Sequence, residues 1–215
     1  MFISLEGIEG SGKTTQIKRM VDYLESRGRP CMATREPGGT AIGRQIRAIL
    51  LDPRNGALDA HAELLLYVAD RVQHLGQTIL PQLEAGRVVV CDRYFDATLV
   101  YQGHGRGLDR SLIESLHRLI CANRNPDLTF LLDLEPEVGL ARAWCQIRGG
   151  GRVDDETRFE QETLAFHQRI REGYLELASR QPQRFRIVNA MLDQTQVWHQ
   201  IRAVLETALG LEEAP

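Results

Sequence analysis

Eight residues near the start of the chain have the types and the spacing of a phosphate-binding loop. Residues 7–14 read Gly-Ile-Glu-Gly-Ser-Gly-Lys-Thr, which matches the pattern Gly-x-x-x-x-Gly-Lys-Ser/Thr in full. Glycines allow backbone N–H groups to turn inward around a polyphosphate, and the N-terminus of a following helix adds a favourable dipole. In this pattern Lys13 reaches the β- and γ-phosphates and Thr14 binds Mg²⁺. The loop therefore predicts binding of a nucleoside triphosphate together with magnesium.

The flanking sequence has the setting that such a loop requires, with a strand before it and a helix after it. Residues 2–5 form an apolar run, and residues 14–27 have helical spacing. The alternative is a glycine-rich turn that contains Lys-Thr by chance. It is disfavoured because the motif falls at the first strand–helix junction, where nucleotide sites lie in α/β folds. The predicted nucleotide-binding residues are Gly7, Ile8, Glu9, Gly10, Ser11, Gly12, Lys13, Thr14 and Thr15.

Two more polar segments follow predicted strands. Residues 35–39 read Arg-Glu-Pro-Gly-Gly, and Asp92-Arg93-Tyr94 comes directly after the apolar run 88–91. Asp92 could bind Mg²⁺, as an aspartate at a strand end does in other P-loop proteins, or could only cap the next helix. Arg93 offers a planar guanidinium suited to phosphate.

A third candidate set lies on a predicted long helix. Tyr67 and Arg71 are four residues apart and therefore share a helix face. The ring could stack on a nucleobase while the guanidinium bonds the edge of the base. The alternative is a core aromatic residue beside a surface arginine, and the pair alone does not decide between the two.

Composition limits the classes of function. The chain has 215 residues, a formal net charge of −3, four cysteines and six histidines. The length suits one domain, and the charge argues against a general nucleic-acid or membrane binder. The cysteines and histidines form no cluster in sequence, which argues against a disulfide framework or a zinc site. With neither a signal peptide nor a membrane-spanning apolar run, a cytoplasmic protein is expected.

Strand and helix patterns alternate along the chain, which predicts an α/β protein with a parallel sheet covered by helices on both faces. Residues 148–158 break this pattern. Their glycines and charges predict a mobile loop that does not contribute to the core. The predicted strands are residues 2–5, 31–35, 88–91, 128–134 and 185–188. The main predicted helices span about 14–27 and 60–85, then run from about 109 to 121, from 136 to the loop at 148, from that loop to about 180, and from 193 onward.

Together these segments resemble bacterial thymidylate kinases almost from end to end. The most specific segments of the resemblance are Thr34 to Thr40 (Thr-Arg-Glu-Pro-Gly-Gly-Thr) and Asp92-Arg93-Tyr94, in this order. Tyr101-Gln102-Gly103, Pro126 to Thr129 and Arg158 to Glu162 also match. The resemblance implies a P-loop NTPase fold with a five-stranded parallel sheet and a short mobile lid. It also implies transfer of the γ-phosphoryl group of ATP to dTMP, with Mg²⁺.

The same resemblance implies roles for individual residues. The implied catalytic residues are Lys13, Asp92, Arg93, Arg148 and Arg152, and the implied magnesium ligands are Thr14 and Asp92. The implied dTMP-binding residues are Glu9, Arg35, Pro37, Arg47, Tyr67, Arg71, Arg93, Thr98, Tyr101 and Gln102. Within this set Tyr67 stacks on thymine, Arg71 reads its edge and Arg93 grips the acceptor phosphate. The family also implies one domain over residues 1–215, a lid over about 141–158, and a homodimer.

The lid prediction concerns the charge that phosphoryl transfer must neutralise. The P-loop reads Glu9-Gly10-Ser11 where some family members have an extra arginine, so another cation is needed. Arg148, Arg152 and Arg158 lie in or beside the lid and could supply it. The alternative is a solvated loop whose arginines only keep it soluble.

Three other functions share parts of this pattern. A nucleoside monophosphate kinase of different base preference would use the same phosphate machinery, and only the face with Tyr67, Arg71 and Gln102 distinguishes it. A GTP-binding switch protein usually has an Asn-Lys-x-Asp motif, which the chain lacks. A nucleotide-binding module of an assembly would bind ATP without responding to dTMP.

Overall fold

The computed structural model describes residues 1–149 and 156–211. Five strands form one parallel sheet in the order β2-β3-β1-β4-β5. They are β1 (Phe2–Glu6), β2 (Cys31–Arg35), β3 (Val88–Asp92), β4 (Leu128–Asp133) and β5 (Phe185–Asn189). The sheet confirms the predicted fold class, and the strand bounds lie within one residue of the predicted ones.

The helices alternate with these strands and cover the sheet. In the described residues they are α1 (Lys13–Ser26), α2 (Ala41–Leu51), α3 (Ala60–His74), α4 (Leu80–Glu84), α5 (Phe95–Thr98), α6 (Arg110–Ile120), α7 (Pro136–Arg148), α8 (Leu164–Arg180) and α9 (Gln194–Leu209). Two wider π-helical turns follow helices: Leu75–Ile79 connects α3 to α4, and Leu99–Gly105 extends α5. None of the described helices is long and apolar enough to cross a membrane.

Helix ends follow local chemistry. Asp109 accepts a hydrogen bond from the Ser111 N–H at the start of α6, and Asp193 forms a capping box with Gln196 at the start of α9. Such caps satisfy N–H groups that have no partner within the helix. Pro136 occupies the first turn of α7, where its missing N–H costs nothing. The starts of these three helices are therefore set by residues that are local in sequence.

The sheet core is apolar because β1, β3 and β4 are covered on both faces. All five residues of β1 are buried, as are the first four of β3. Continuous apolar runs of this kind are typical of parallel strands between two helix layers. The strands therefore form a rigid base, and their carboxyl ends lie along one edge of the sheet.

One loop prediction is wrong at its end. Residues 148–158 were expected to stay outside the core, yet Thr157 and Arg158 are both buried. The Arg158 backbone N–H donates to the Leu51 carbonyl at 3.1 Å, which fixes this segment against the end of α2. Arg148 is the exposed last residue of α7, and Arg152 lies outside the described residues.

Candidate active site

The phosphate-binding loop lies between the end of β1 and the start of α1. Gly7, Gly10 and Gly12 all have positive φ angles, of 138°, 70° and 93°. A Cβ at Gly10 would lie 2.1 Å from the Gly139 carbonyl oxygen, so a side chain cannot fit there. The loop therefore needs glycine both for its backbone angles and for its close contact with α7.

A cleft of about 1330 Å³, open to solvent, lies over this loop. The register places Asp92 beside Leu5 on one side and beside Arg35 on the other, so the ends of β1, β2 and β3 meet there. The cleft is lined by Glu9, Gly10, Ser11, Gly12, Lys13, Thr14, Thr15, Arg35, Glu36, Arg47, Asp92, Arg93, Gln146 and Glu156. The structure thus brings most of the predicted phosphate-binding residues together.

Lys13 folds back onto its own loop. Its Nζ donates to the carbonyls of Gly7 and Ile8, both at 2.9 Å, and to the Ser11 hydroxyl at 3.2 Å. Burial and the neighbouring Arg93 guanidinium lower the pKa of Lys13 to about 8. The ammonium is held at the floor of the cleft, where a polyphosphate would compete with these carbonyls for it.

Thr14 and Asp92 line the same cleft and offer a hydroxyl and a carboxylate. Oxygen ligands of this type suit Mg²⁺, which keeps several waters and binds through one or two protein groups plus phosphate oxygens. Among the described residues, no group of three or more His, Cys, Asp or Glu is placed to hold a metal ion. The donors present therefore fit a magnesium ion that arrives with a nucleotide.

Arg93 has a backbone conformation that is rare for a residue with a side chain, with φ at 66°. Such a left-handed residue costs on the order of 1–3 kcal/mol and persists only when its surroundings fix it. Here Leu5 accepts from the Arg93 N–H at 3.0 Å, and the buried Glu6 carboxylate accepts from the next N–H, that of Tyr94, at 2.8 Å. The turn directs the guanidinium back over the loop, where it donates to the Gly7 carbonyl at 3.2 Å.

Glu9 is the buried acidic partner of this guanidinium. Its Oε1 accepts from Arg93 at 2.7 Å and from the Tyr101 hydroxyl at 2.8 Å. Burial alone would raise the pKa of Glu9, but Arg93, His167 and Lys13 hold it well below its ordinary value. Its second oxygen, Oε2, lies 3.4 Å from His167 Nδ1 but lacks a hydrogen-bond partner among the described residues. Glu9 is thus a carboxylate with an acceptor left for a ligand.

A second cleft, of about 530 Å³, adjoins the first. Glu9, Glu36, Arg47, Arg93 and Glu156 line both clefts, so the two are continuous at these residues. The residues that line the second cleft are Glu9, Glu36, Pro37, Arg47, Leu51, Tyr67, Arg71, Arg93, Tyr94, Ala97, Thr98, Tyr101, Gln102, Glu156, Phe159 and Glu160. Of the residues predicted to bind dTMP, all except Arg35 are in this set.

Arg71 is buried in the wall of the second cleft and is not a surface arginine. It pairs with Glu36, and its Nη2 donates to the Thr98 hydroxyl at 2.8 Å. Its guanidinium also lies over the Tyr94 ring, 5.2 Å from the ring centre. Its Nε has no acceptor among the described residues. A buried donor without a partner costs free energy, which favours a ligand acceptor at this point.

Tyr67 lies in the same wall, one helical turn before Arg71 on α3. Burial and the nearby Glu63 carboxylate raise the pKa of the Tyr67 hydroxyl above its ordinary value. The ring therefore presents a neutral aromatic face to the cleft at physiological pH. This arrangement agrees with stacking on a base.

The remaining predicted cations lie at the mouth of the site. Arg47 donates to both oxygens of Glu156, at 2.9 and 2.7 Å, and to the Pro37 carbonyl at 3.0 Å. Arg35 is exposed at the end of β2, and partial burial together with Arg47 lowers its pKa. Both guanidiniums line the cleft over the P-loop, but Arg47 has a carboxylate partner that sequence reasoning did not identify.

Sequence reasoning missed several polar residues of the site. His167 reaches Glu9 from α8, and Glu156 lines both clefts from the end of the predicted lid. Glu160, together with the aromatic Phe159, lines the second cleft from the residues just after the lid. Glu63 was also missed, although a signal for it exists. It lies four residues before Tyr67 on α3, so a carboxylate shares the helix face that the aromatic residue buries.

Comparisons with known proteins identify relatives of this chain. The family model described as thymidylate kinase matches residues 5–201. A thymidylate kinase of Desulfosudis oleivorans is 52% identical over 206 residues, which cover 96% of each chain. One of Desulforapulum autotrophicum is 53% identical over 212 residues, which cover 99% of this chain and 93% of the relative. One of Syntrophotalea carbinolica is 53% identical over 210 residues, which cover 98% and 97%.

Proposed function

The chain belongs to the thymidylate kinase family and phosphorylates dTMP, and from this premise we propose that its two adjoining clefts hold MgATP and dTMP for direct in-line transfer. The family uses ATP as the phosphate donor. The cleft over the P-loop takes ATP, and the cleft beside α3 takes dTMP. The observation that supports this assignment most strongly is Arg93, which lines both clefts from a fixed left-handed turn.

The chemistry needs no strong general base. The attacking group is a phosphate oxygen of dTMP, and the second pKa of a phosphate monoester is about 6. At neutral pH this oxygen is already largely ionised, so the main obstacle is repulsion between two polyanions. Catalysis then comes from positioning and from fixed positive charge.

On the ATP side we assign the phosphates to the loop N–H groups and to Lys13. Thr14 and Asp92 would hold Mg²⁺, which neutralises charge on the outer phosphates when it is bound. Lys13 leaves its three loop oxygens and turns to the phosphates, because the charged oxygens are better acceptors for an ammonium.

On the dTMP side the roles follow the chemistry of the cleft wall. Tyr67 stacks on the base, while Arg71, Thr98 and Gln102 bond its edge. The sugar and phosphate lie toward the ATP cleft, where they meet residues of both clefts. We assign the sugar to Glu9 and Tyr101, the acceptor phosphate to Arg35, Arg47 and Arg93, and packing beside the nucleotide to Pro37.

The chain is one domain in this proposal, with a lid over about residues 141–158 that supplies a further cation. Of the four arginines within these bounds, Arg142 donates to the Ala190 carbonyl and Arg158 already pairs with the buried Glu63. Arg148 and Arg152 therefore remain as candidates for the transferring phosphoryl group. The supporting observation is Glu9, which places an anion in the P-loop and leaves the loop itself with Lys13 as its cation.

Single substitutions of the lid arginines test this assignment. Arg148→Ala or Arg152→Ala is expected to lower kcat by about 100-fold or more, because an arginine on the transferring phosphoryl group can be worth 10³–10⁵ in rate. The dTMP dissociation constant should change little, since the lid acts on the transition state. The matched control is Arg142→Ala on α7, which removes a bond to the Ala190 carbonyl outside both clefts. Unchanged kcat in both lid variants would contradict the assignment.

An acceptor panel tests the proposed clefts as a whole. ADP release is measured with MgATP and, in turn, dTMP, dUMP, AMP, CMP and GMP. The proposal expects dTMP to be the best acceptor and Arg93→Lys to lose most of the turnover, because an ammonium cannot span both phosphates as a guanidinium can. Equal rates with AMP and dTMP would overturn the assignment of the base-binding wall.

We also propose that two copies of the chain form a homodimer through α2, α3 and α6. Helix α3 packs against both of the others, and each helix has exposed apolar residues two turns apart. The pairs are Ile42 and Ile49, Leu65 and Val72, and Leu112 and Leu119. Residues seven apart lie on one helix face, so the three pairs give a patch of apolar surface that a monomer would leave in water.

A further inference from the structure

We propose that Glu63, which does not line either cleft, fixes the orientation of the Gln102 side-chain amide and thereby selects a base with an imide edge. Glu63 is a positioning residue in this proposal, since it acts through Gln102. The inference rests on the proposed dTMP site and adds to it the residue that sets the direction of one hydrogen bond.

The contacts around Glu63 form a closed cluster. Its carboxylate is fully buried. Oε1 accepts from Gln102 Nε2 at 2.7 Å and from Arg106 Nε at 3.3 Å, and Oε2 accepts from Arg158 Nη2 at 2.5 Å. We call Glu63, Gln102, Arg106 and Arg158 the Glu63 cluster. It joins α3, the π-helical turn after α5 and the last residue of the predicted lid.

The carboxylate cannot rotate away from this arrangement. Arg158 is held from behind, because its Nε donates to the Leu50 carbonyl at 2.5 Å. Arg106 is held by Glu162, which accepts from its Nη1 at 2.5 Å. Both oxygens of the carboxylate therefore act as acceptors in the cluster, each facing N–H donors.

An acceptor-only partner determines how the amide of Gln102 must lie. The amide has an NH₂ group that donates and a carbonyl that accepts. Facing Glu63, only the NH₂ group can bond, and the reverse orientation would bring two acceptor oxygens together. The carbonyl oxygen Oε1 is left without a donor among the described residues. Gln102 lines the second cleft, the one beside α3, which we call the nucleoside cleft. Oε1 is therefore the acceptor that a base meets there.

This polarity distinguishes pyrimidine bases. Thymine and uracil have an N3–H donor beside the O4 acceptor, whereas cytosine has an N3 acceptor beside an amino donor. The Gln102 carbonyl accepts and Arg71 donates, which matches the N3–H and O4 of thymine and uracil. Cytosine would place its N3 acceptor against the carbonyl and its amino donor against the guanidinium. A site with fixed buried polar groups rejects a mismatched ligand strongly, because its groups are then left unpaired.

The test compares dUMP with dCMP, which differ only at this edge of the base. The unmodified enzyme should show a kcat/KM at least about 100-fold higher for dUMP. In Glu63→Gln the residue at 63 can donate as well as accept, so the Gln102 amide can turn. The ratio of kcat/KM for dUMP over dCMP should then fall by about tenfold or more, while the KM for ATP stays unchanged.

Two further variants separate orientation from folding and from charge. Glu162→Gln is the matched control, since it removes the same charge from Arg106 without touching Gln102, and its ratio should equal that of the unmodified enzyme. The exchange variant, Glu63→Gln with Gln102→Glu, keeps the charge of the cluster and again presents an acceptor to the base. It should recover the preference for dUMP.

The inference is overturned if folded Glu63→Gln keeps the full ratio, or if Glu162→Gln lowers it equally. If Glu63→Gln does not fold, a folded exchange variant without preference for dUMP overturns it. Equal values of kcat/KM for dCMP and dUMP in the unmodified enzyme would also overturn the inference. Failure of the proposed function is a different result, namely no ADP release that depends on dTMP.

Discussion

Lys13 shows how one residue of the site is held before a nucleotide binds. Its ammonium donates three hydrogen bonds within the loop, yet burial and Arg93 lower its pKa to about 8. With this pKa the ammonium keeps its charge at neutral pH and loses it in the free enzyme as the pH rises through about 8.

This gives a pH prediction for ATP binding. The lowered pKa means that Lys13 is protonated below about pH 8 and loses its proton above that value. We expect ATP affinity to be constant below this pH and to fall as the pH rises above it, by at most about tenfold per pH unit for one required proton. Fluorescence or calorimetric titration between pH 6.5 and 9.5 measures the profile.

Two arginine variants provide the comparison. Lys13→Arg keeps its charge over this range, so its ATP affinity should stay flat even if it is weaker. Lys18→Arg, on an exposed position of the same helix, should keep the profile of the unmodified enzyme. A flat profile in the unmodified enzyme would contradict the assigned role of Lys13.

At the scale of residues, sequence motifs predict which residues belong to the site better than they predict which side chains pair with each other. Lys13 follows from the spacing of the P-loop motif, whereas the roles of Asp92, Arg93 and Tyr67 were implied by the family resemblance. The Arg158–Glu63 pair follows from neither, since its partners are 95 residues apart and meet only through the fold. The same reason explains why Arg158 looked like a free lid cation in the sequence.

Among the elements, the short helix α5 is held in place by a buried ion pair. Its Asp96 is buried and accepts from two nitrogens of Arg184, at 2.7 and 2.6 Å. Arg184 precedes β5 and also donates to Thr129 in β4. The pair therefore ties α5, which contains Thr98 of the nucleoside cleft, to the far side of the sheet.

Asp96→Asn is expected to destabilise the fold strongly. Removing one partner leaves the buried Arg184 guanidinium uncompensated, and such losses cost about 3–5 kcal/mol. The free energy of unfolding, measured in urea by tryptophan fluorescence, should fall by about 3 kcal/mol. The matched control is Asp52→Asn, whose partner Arg54 is 84% exposed, and the expected change is within about 1 kcal/mol. Equal effects of the two variants would contradict a special role for the buried pair.

Most elements could be predicted because their signals are local. The apolar run of β3 is typical of a buried strand, and Asp109 and Asp193 are residue types that commonly begin a helix. The π-helical turns Leu75–Ile79 and Leu99–Gly105 could not be predicted, because one wider turn barely changes the apolar spacing around it. The second of these turns contains Tyr101 and Gln102, so the backbone that sets their direction was also beyond sequence reasoning.

For the whole molecule, the apolar patch on α2, α3 and α6 is the feature that a single chain leaves unexplained. Leu119 is 79% exposed and Leu65 is 57% exposed. Burying them against a second copy would stabilise an assembly by roughly 25 cal/mol for each Å² of apolar surface removed from water. Because α3 also contains Tyr67 and Arg71, a partner on its outer face would stiffen the helix that forms the nucleoside cleft.

The oligomeric state follows as a prediction that sedimentation can check. We expect the unmodified chain, of 24.3 kDa, to sediment at twice its mass at micromolar concentration. Leu65→Glu should shift it toward the monomer, because a carboxylate buried at a two-fold interface would meet its own copy or apolar surface, and neither satisfies its charge. Met191→Glu is the matched control, since Met191 is 47% exposed but lies outside these helices. A monomeric unmodified chain, or equal dissociation by Met191→Glu, would rule out this face as the interface.

If Leu65→Glu is monomeric and also has a higher KM for dTMP with an unchanged KM for ATP, the partner supports α3 and through it the nucleoside cleft.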